Sequence, residues 1–192
     1  DPFEEINREV WTFNEGVDNR IARPVAELYD GVVPIPIQSS ITNFFSNLDE
    51  IDNSINQILQ GKPIAAANDL GRFVINTSFG ILGFFDVASI MGFKEHDEDF
   101  GQTLGVWGIP SGPYLMLPFY GPSSPRDLVG RPISGFLSGT FSIDESDVRA
   151  SITILDALET RARLLDVENL IVGDKYTFIR NSYLQYSEFE VL

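Results

Sequence analysis

The sequence predicts an all-α fold in a single domain over residues 1–192. Three observations predict it. Apolar residues recur every three or four positions through most of the chain. Helix start and stop signals separate these runs. No stretch shows the alternation of apolar and polar residues expected of a half-buried strand.

The elements follow in order. Asp1-Pro2-Phe3-Glu4 reads as a helix start, with a capping Asp, Pro at the first helical position and Glu at the third. Phe3, Ile6, Val10, Phe13, Val17 and Ile21 then mark one apolar face. Asn7 and Asn14 lie two turns apart beside that face and are expected to satisfy backbone groups at a helix crossing. Arg23-Pro24 opens a second helix that ends near Gly31, and Val33-Pro34-Ile35-Pro36 is extended because proline disfavours helix in the residue before it. Two helices are expected next, from about Ile37 to Asn47 and from about Asp49 to Gln60, with Gly61 as C-cap and Pro63 starting another. Residues 101–121 hold five Gly and three Pro, which reads as a loop with a helical entry. Helices are predicted again from Ser124-Pro125, through Val148, Ile152, Leu155, Leu158, Ala162 and Leu165, and from about Lys175 through Tyr176, Ile179, Tyr183 and Tyr186.

One stretch does not settle into this scheme. FVINTSFGILGFFDVASIMGF, residues 73–93, is long enough to cross a bilayer, yet it holds Asn76, Thr77, Asp86 and three glycines. A free-standing span is costly with those residues. A core helix pair and a segment exposing Phe79, Leu82, Phe84 or Phe85 to lipid both remain open. Small or polar residues at Gly80, Gly83, Asp86, Ser89 and Gly92 suit close packing, and Asp86 needs a partner, with Arg72, Arg126 and Arg131 as candidates.

Composition excludes several classes. A net charge of −15 opposes binding to nucleic acid, and opposes docking on anionic lipid through a basic patch. With no Cys and one His, a zinc site of ordinary spacing cannot be built within the chain. His96-Asp97-Glu98-Asp99 reads as a solvated loop capping the next helix rather than a cation site. A hydrolytic triad would have to use His96, which has no Gly-x-Ser-x-Gly elbow near it. No phosphate-binding loop is present, so no enzyme activity and no cofactor are expected.

The residues also carry a resemblance. Asp1-Pro2-Phe3-Glu4 with Asn7-Arg8 and Phe13-Asn14, then Arg23-Pro24, Asn43-Phe44, Asn47-Leu48 and Leu59-Gln60-Gly61 stand in a recognisable order. Arg72-Phe73, Asn76-Thr77, Gly80, Gly83 and Asp86-Val87-Ala88 follow. The blocks Phe100-Gly101-Gln102-Thr103-Leu104-Gly105, Gly112-Pro113-Tyr114, Leu117-Pro118, Gly121, Arg126-Asp127 and Glu159-Thr160-Arg161-Ala162 complete the set. Together these resemble the MlaA (VacJ) family of outer-membrane phospholipid-transport lipoproteins from Asp1 to about Tyr186. Two places depart from the family pattern. Ile51 stands where a proline is usual after Asn47-Leu48-Asp49-Glu50, and residues 131–147 match poorly.

The resemblance implies a helical ring lying in the inner leaflet of the outer membrane, with an amphipathic channel that passes phospholipid. It implies removal of misplaced phospholipid from the outer leaflet, hand-over to a periplasmic lipid-binding protein of the MlaC type, and association with a trimeric porin. The family's signal peptide and lipidated Cys are absent from this chain, which implies a segment trimmed from in front of Asp1. The family's hairpin loop at the channel maps onto Gly101, Gly105, Gly108, Gly112, Pro113, Tyr114 and Pro118. Gly108 and Gly112 are expected as hinges or simply as turns. Asn76, Thr77 and Asp86 are expected on the polar path, and Phe79, Leu82, Phe84 and Phe85 against lipid or in packing of the ring. The competing expectation is a porin-associated scaffold of the envelope with no lipid path of its own.

Overall fold

A computed structural model describes residues 1–137, 146–168 and 171–191. Helix α1 runs over Glu4–Val17 and passes through a single π turn, Asp18–Ala22, into α2, Arg23–Val32. Then come α3 (Ile35–Leu59), α4 (Pro63–Phe79), the short α5 (Val87–Ile90) and α6 (Phe100–Val106). Strands β1 (Leu115–Leu117) and β2 (Gly121–Ser123) pair antiparallel, with Met116 opposite Pro122. Helices α7 (Pro125–Leu137), α8 (Ser146–Glu168) and α9 (Lys175–Phe189) complete the order. The poorly matching stretch, residues 131–147, lies partly outside the described residues.

Four local outcomes differ from the sequence expectation. Ile35 and Pro36 are not extended but open α3, because proline fits the first turn of a helix, where its missing N–H is not needed. Helix α1 begins at Glu4 with Phe3 as its N-cap, two residues later than expected, although the Asp1 carboxylate still accepts from the Phe3 amide at 3.2 Å. It also accepts from Asn7 Nδ2 at 3.0 Å and from the Tyr176 hydroxyl of α9. Helix α3 is one unbroken element rather than two. No Gly or Pro lies between Ile37 and Gln60, so nothing interrupts the backbone ladder, and Ile51 continues the helix. The Gly/Pro-rich stretch ends in a β-hairpin whose three-residue strands are too short to show alternation.

The interior is the unusual feature. Small apolar clusters form where α2 meets α8, around Ala26, Tyr29 and Ala162, and where β1 meets α9, around Tyr114, Met116 and Tyr176. Between α3 and α4 the buried residues are mostly polar. On α3 they include Asn47, Glu50, Asn53, Asn56 and Gln57 beside Phe45, and on α4 they are Asp69, Arg72 and Asn76 beside Ala66. Arg72, Gln57, Glu50 and Asn56 are among the bulkiest fully buried side chains, where most proteins place Leu, Ile and Phe. The opposite face of α4 carries Ile64, Leu70 and Val74, with Ile64 87% exposed. Helical period is thus kept while polarity is reversed, with polar faces inward and apolar faces outward.

Candidate functional site

The polar seam is a hydrogen-bonded network centred on Arg72, only 1% exposed. Its guanidinium pairs with Glu50 of α3, reaches Ser89 Oγ at 2.9 Å and the Phe93 carbonyl at 3.3 Å, and lies 3.4 Å from Asp86. Of the three arginines offered for Asp86, Arg72 is the partner. Arg126 instead donates to Ser187 and Arg131 to the Pro122 carbonyl. Asp86 also accepts from Asn76 Nδ2 at 3.1 Å and from the Ser89 amide, so it caps α5. These donors hold its carboxyl below the usual value despite partial burial. Asn76 spends its remaining oxygen on the Ala88 amide at 2.8 Å, and Thr77 accepts from Asn47 Nδ2 at 3.0 Å. A cavity of about 160 Å³ opens beside Asn47, Arg72 and Asp86, and every residue lining it is polar or charged.

The seam fastens an apolar turn. Helix α4 stops at Gly80, where a Cβ would sit 2.1 Å from the Phe85 carbonyl oxygen, so the chain can fold back only on glycine. Ile81 and Leu82 follow with φ of 53° and 58°, a region that bulky side chains, and β-branched ones such as Ile above all, avoid. Such backbone costs about 1–3 kcal/mol per residue and persists when surrounding contacts enforce it. The contacts here are Gly83 N–H to the Asn76 carbonyl, Phe85 N–H to the Gly80 carbonyl, and Phe84 stacked on Phe44 at 5.2 Å. The result presents Phe79, Ile81, Leu82 and Phe85 outward together with Ile90 and Met91, all more than half exposed. Residues 73–93 are therefore neither a span nor a buried core helix. No helix among the described residues is long and apolar enough to cross a membrane.

The glycines expected at a channel mouth divide between two settings. Gly101 and Gly105 lie buried in α6, Gly105 giving room to the Arg126 guanidinium. Gly108 and Gly112 have φ of 89° and 79° in the loop after α6. Pro113 and Tyr114 lead into β1, and Pro118 opens the turn of the hairpin. Helix α1 clamps this hairpin with two asparagines. Asn7 donates to the Tyr114 carbonyl at 3.1 Å and accepts from the Met116 amide at 2.9 Å. Asn14 does the same to the Leu117 carbonyl and the Phe119 amide, at 2.9 and 2.8 Å. Each primary amide mimics a peptide group of a neighbouring strand. Seven residues of helix rise roughly 10 Å, and the three residues from Met116 to Phe119 extend by about the same, so the two clamps fit in register. The predicted backbone-satisfying role holds, but the partner is a strand rather than a crossing helix. Asn7→Ala is expected to destabilise the protein by about 2–3 kcal/mol, since it strands a buried amide and carbonyl. Denaturant unfolding measures it, and a loss below about 0.5 kcal/mol would contradict the clamp.

The acidic loop is held rather than free. Asp99 caps α6 through the Gln102 amide, Glu98 accepts from Gln57 and Gln60, and His96 Nδ1 lies 2.5 Å from the buried Asp69. Among the described residues no group of three or more His, Cys, Asp or Glu is placed to hold a metal ion.

The MlaA lipoprotein family model matches residues 1–190. The chain belongs to the MlaA lipoprotein family. It is 37% identical over 195 residues to the intermembrane phospholipid transport system lipoprotein MlaA of Escherichia coli K12, covering 98% of this chain and 77% of that protein. The protein of the same name from Haemophilus influenzae is 33% identical over 204 residues, covering 100% and 79%. A solved structure reported as "Structural basis for maintenance of bacterial outer membrane lipid asymmetry" superposes with a TM-score of 0.87 at 35% identity, covering 100% of this chain and 99% of that one.

In this MlaA-family chain, sequence reading missed Glu50, Asp52, Asn56 and Gln57 as interior groups, and Ile81, Ile90 and Met91 as parts of the apolar turn. The signal was present, since α3 carries its polar residues on one stripe opposite Ile51, Ile55 and Ile58. Periodicity marks two faces but not which one is inside. The buried carboxylates imply a pH dependence of this chain's stability. Burial pushes Glu50 up to about 7 against the pull of Arg72, and pushes Asp52 up to about 6. Their folded values exceed the usual 4.5 and 3.8, so the folded state holds these protons more tightly. The contribution is complete below the usual values and is lost as pH rises through 6 and 7. Asp174, held down to about 2 by Arg8, acts only well below that window. Thermal stability should therefore rise by a few kcal/mol between pH 8 and pH 5, since a proton held tenfold more tightly in the folded state contributes about 1.4 kcal/mol. Melting curves across that range test it, and a maximum at pH 8 would refute it.

Proposed function

We propose that this protein is a non-enzymatic phospholipid-transport lipoprotein of the outer membrane. It takes misplaced phospholipid from the outer leaflet and delivers it toward the periplasm, maintaining lipid asymmetry. The observation that carries this reading is the reversed polarity of the fold in a member of the MlaA family. Apolar helix faces and the turn at Phe79, Ile81, Leu82 and Phe85 point outward, where hydrocarbon would cover them, while Asn47, Arg72 and Asn76 form a polar interior with the half-buried Asp86 at its edge. The helices enclose a path in a ring-like arrangement within the inner leaflet. Head groups travel along polar walls and acyl tails stay against apolar ones. The hairpin at 115–123 borders the path, with Gly108 and Gly112 as its hinges. A periplasmic lipid-binding protein of the MlaC type receives the lipid, a trimeric porin supports the complex, and a lipid anchor holds the full-length protein at the membrane. Movement is passive in this component.

Photo-crosslinking in bilayer nanodiscs tests the reading, using phospholipids with a reactive group in the head or in a tail. Tail label is expected on residues 79–85 and head label near Asp86 or within 101–120. Label scattered over the surface would instead favour a porin-associated scaffold without a lipid path.

A further inference from the structure

A second cavity, of about 350 Å³, lies at the base of the hairpin, away from the seam that Arg72 organises. Its walls come from the loop before β1, from the start of α7 and from α9. Arg126 lines it and is 7% exposed. A buried guanidinium is costly unless an anion meets it. Among the described residues the carboxylate nearest to it is Asp127, 3.9 Å from Nε, and Asp127 is already engaged by the Tyr183 hydroxyl. One Arg126 nitrogen donates to Ser187 Oγ at 2.9 Å, but Nε has no hydrogen-bond partner. Tyr114, 2% exposed, also lines the cavity, and its buried hydroxyl has no partner either. Burial pushes that hydroxyl up to about 12, so it remains a donor at neutral pH. Buried polar groups are nearly always satisfied, and the two residues that carry these unsatisfied atoms both line this one cavity, which points to a ligand there.

Both unsatisfied groups are donors, one of them cationic, so the ligand is an anion. The hydroxyls of Ser111 and Ser187 add further donors, while Leu184 supplies an apolar flank. The exposed Glu188 also lines the cavity, so an anion that carries an ammonium matches both signs. We propose that this cavity binds the phosphodiester of a phospholipid head group, with Arg126 as its counter-charge and Tyr114 as a second donor. The proposal rests on the lipid-transport reading above and gives it a head-group station beneath the hairpin. Gly105 serves the station by omission, since a Cβ there would lie 2.6 Å from Arg126 Nη1.

The test measures binding of dihexanoylphosphatidylethanolamine to the full chain in phosphate-free detergent micelles by calorimetry. Dihexanoylglycerol and inorganic phosphate serve as the other two probes. Arg126→Gln should weaken binding of the phospholipid roughly 10-fold or more, as loss of a charge-assisted contact does. Tyr114→Phe should weaken it several-fold while leaving the melting temperature unchanged or higher, because it removes an unpartnered buried hydroxyl. That opposite movement of binding and stability keeps the test valid even if Arg126→Gln does not fold. Equal binding of dihexanoylglycerol, or unchanged affinity in Tyr114→Phe and in folded Arg126→Gln, would overturn the station. Inorganic phosphate binding as tightly as the phospholipid would make the cavity a free-phosphate site and overturn its assignment to lipid. Vesicle-to-vesicle lipid transfer is measured in parallel. Transfer by the wild type with unchanged binding in both variants sinks the station alone. Absent transfer by the wild type sinks the transport reading, and a binding loss in the variants would still support the station.

Discussion

Replacing Arg72 with Met is expected to cost about 3–5 kcal/mol of folding stability at pH 8, the largest loss of any single substitution in the polar seam. The guanidinium is 1% exposed and is the common partner of Glu50, Asp86, Ser89 and the Phe93 carbonyl. Without it, Glu50, itself 1% exposed, is left as an unpaired buried carboxylate. The loss should shrink at pH 5, where Glu50 is protonated, and Glu50→Gln should recover much of it in the double variant. Chemical denaturation in micelles at both pH values measures the effect. A loss under about 1 kcal/mol at pH 8, or no recovery in the double variant, would show that the seam is not held by this pair. Replacing the pair with apolar residues of similar volume is expected to preserve stability. On the transport reading proposed above it would also remove the polar path, so lipid transfer should fall where folding does not.

The second large effect concerns the membrane rather than the fold. The variant carrying Phe79→Ser and Leu82→Ser should lose roughly 100-fold or more in partition onto phospholipid vesicles. Each side chain is well exposed, at 75% and 63%, and each would transfer about 1.5–3 kcal/mol of hydrophobic free energy into hydrocarbon. Neither supports the packed interior, so the melting temperature in micelles should hold. With a net charge of −15, electrostatic attraction to anionic lipid cannot replace the lost apolar contact. Vesicle flotation measures the partition. Equal binding of the double variant and the wild type would mean that another apolar face meets the bilayer, the surface at Ile64 and Val74 being the next to test.

Much of the local structure was legible. Pro63 after Gly61 marked the start of α4, Ser124-Pro125 marked α7, and the spacing of Val148 to Leu165 marked α8, because caps and periodicity are short-range. Asp86 was legible as a charge in need of a partner, since a lone carboxylate in an apolar stretch has few alternatives. The choice of Arg72 over Arg126 and Arg131 was not, because it depends on which helices pack. The cap at Asp1 was legible in part. Its carboxylate does accept from the Phe3 amide, but it is shared with Asn7 and with Tyr176, distant in the chain, and the helix proper starts only at Glu4. Ile81 and Leu82 were illegible as turn residues because their propensities oppose the conformation they adopt, and only the surrounding contacts impose it.

By itself the sequence determined that the chain is helical, where most of its helices start, and that it carries both an apolar stripe and a polar one. It also carried the family blocks, since these are read in order along the chain. Only the tertiary structure decided which stripe is inside. A helical period is the same whether the apolar face meets a protein core or hydrocarbon, and the difference lies in what solvent stands outside. The burial of Arg72, Glu50 and Asn56 beside the exposure of Phe79, Ile81 and Ile90 decided it. The register of Asn7 and Asn14 on β1 was decided in the same way, by two elements more than a hundred residues apart whose rises match over about 10 Å.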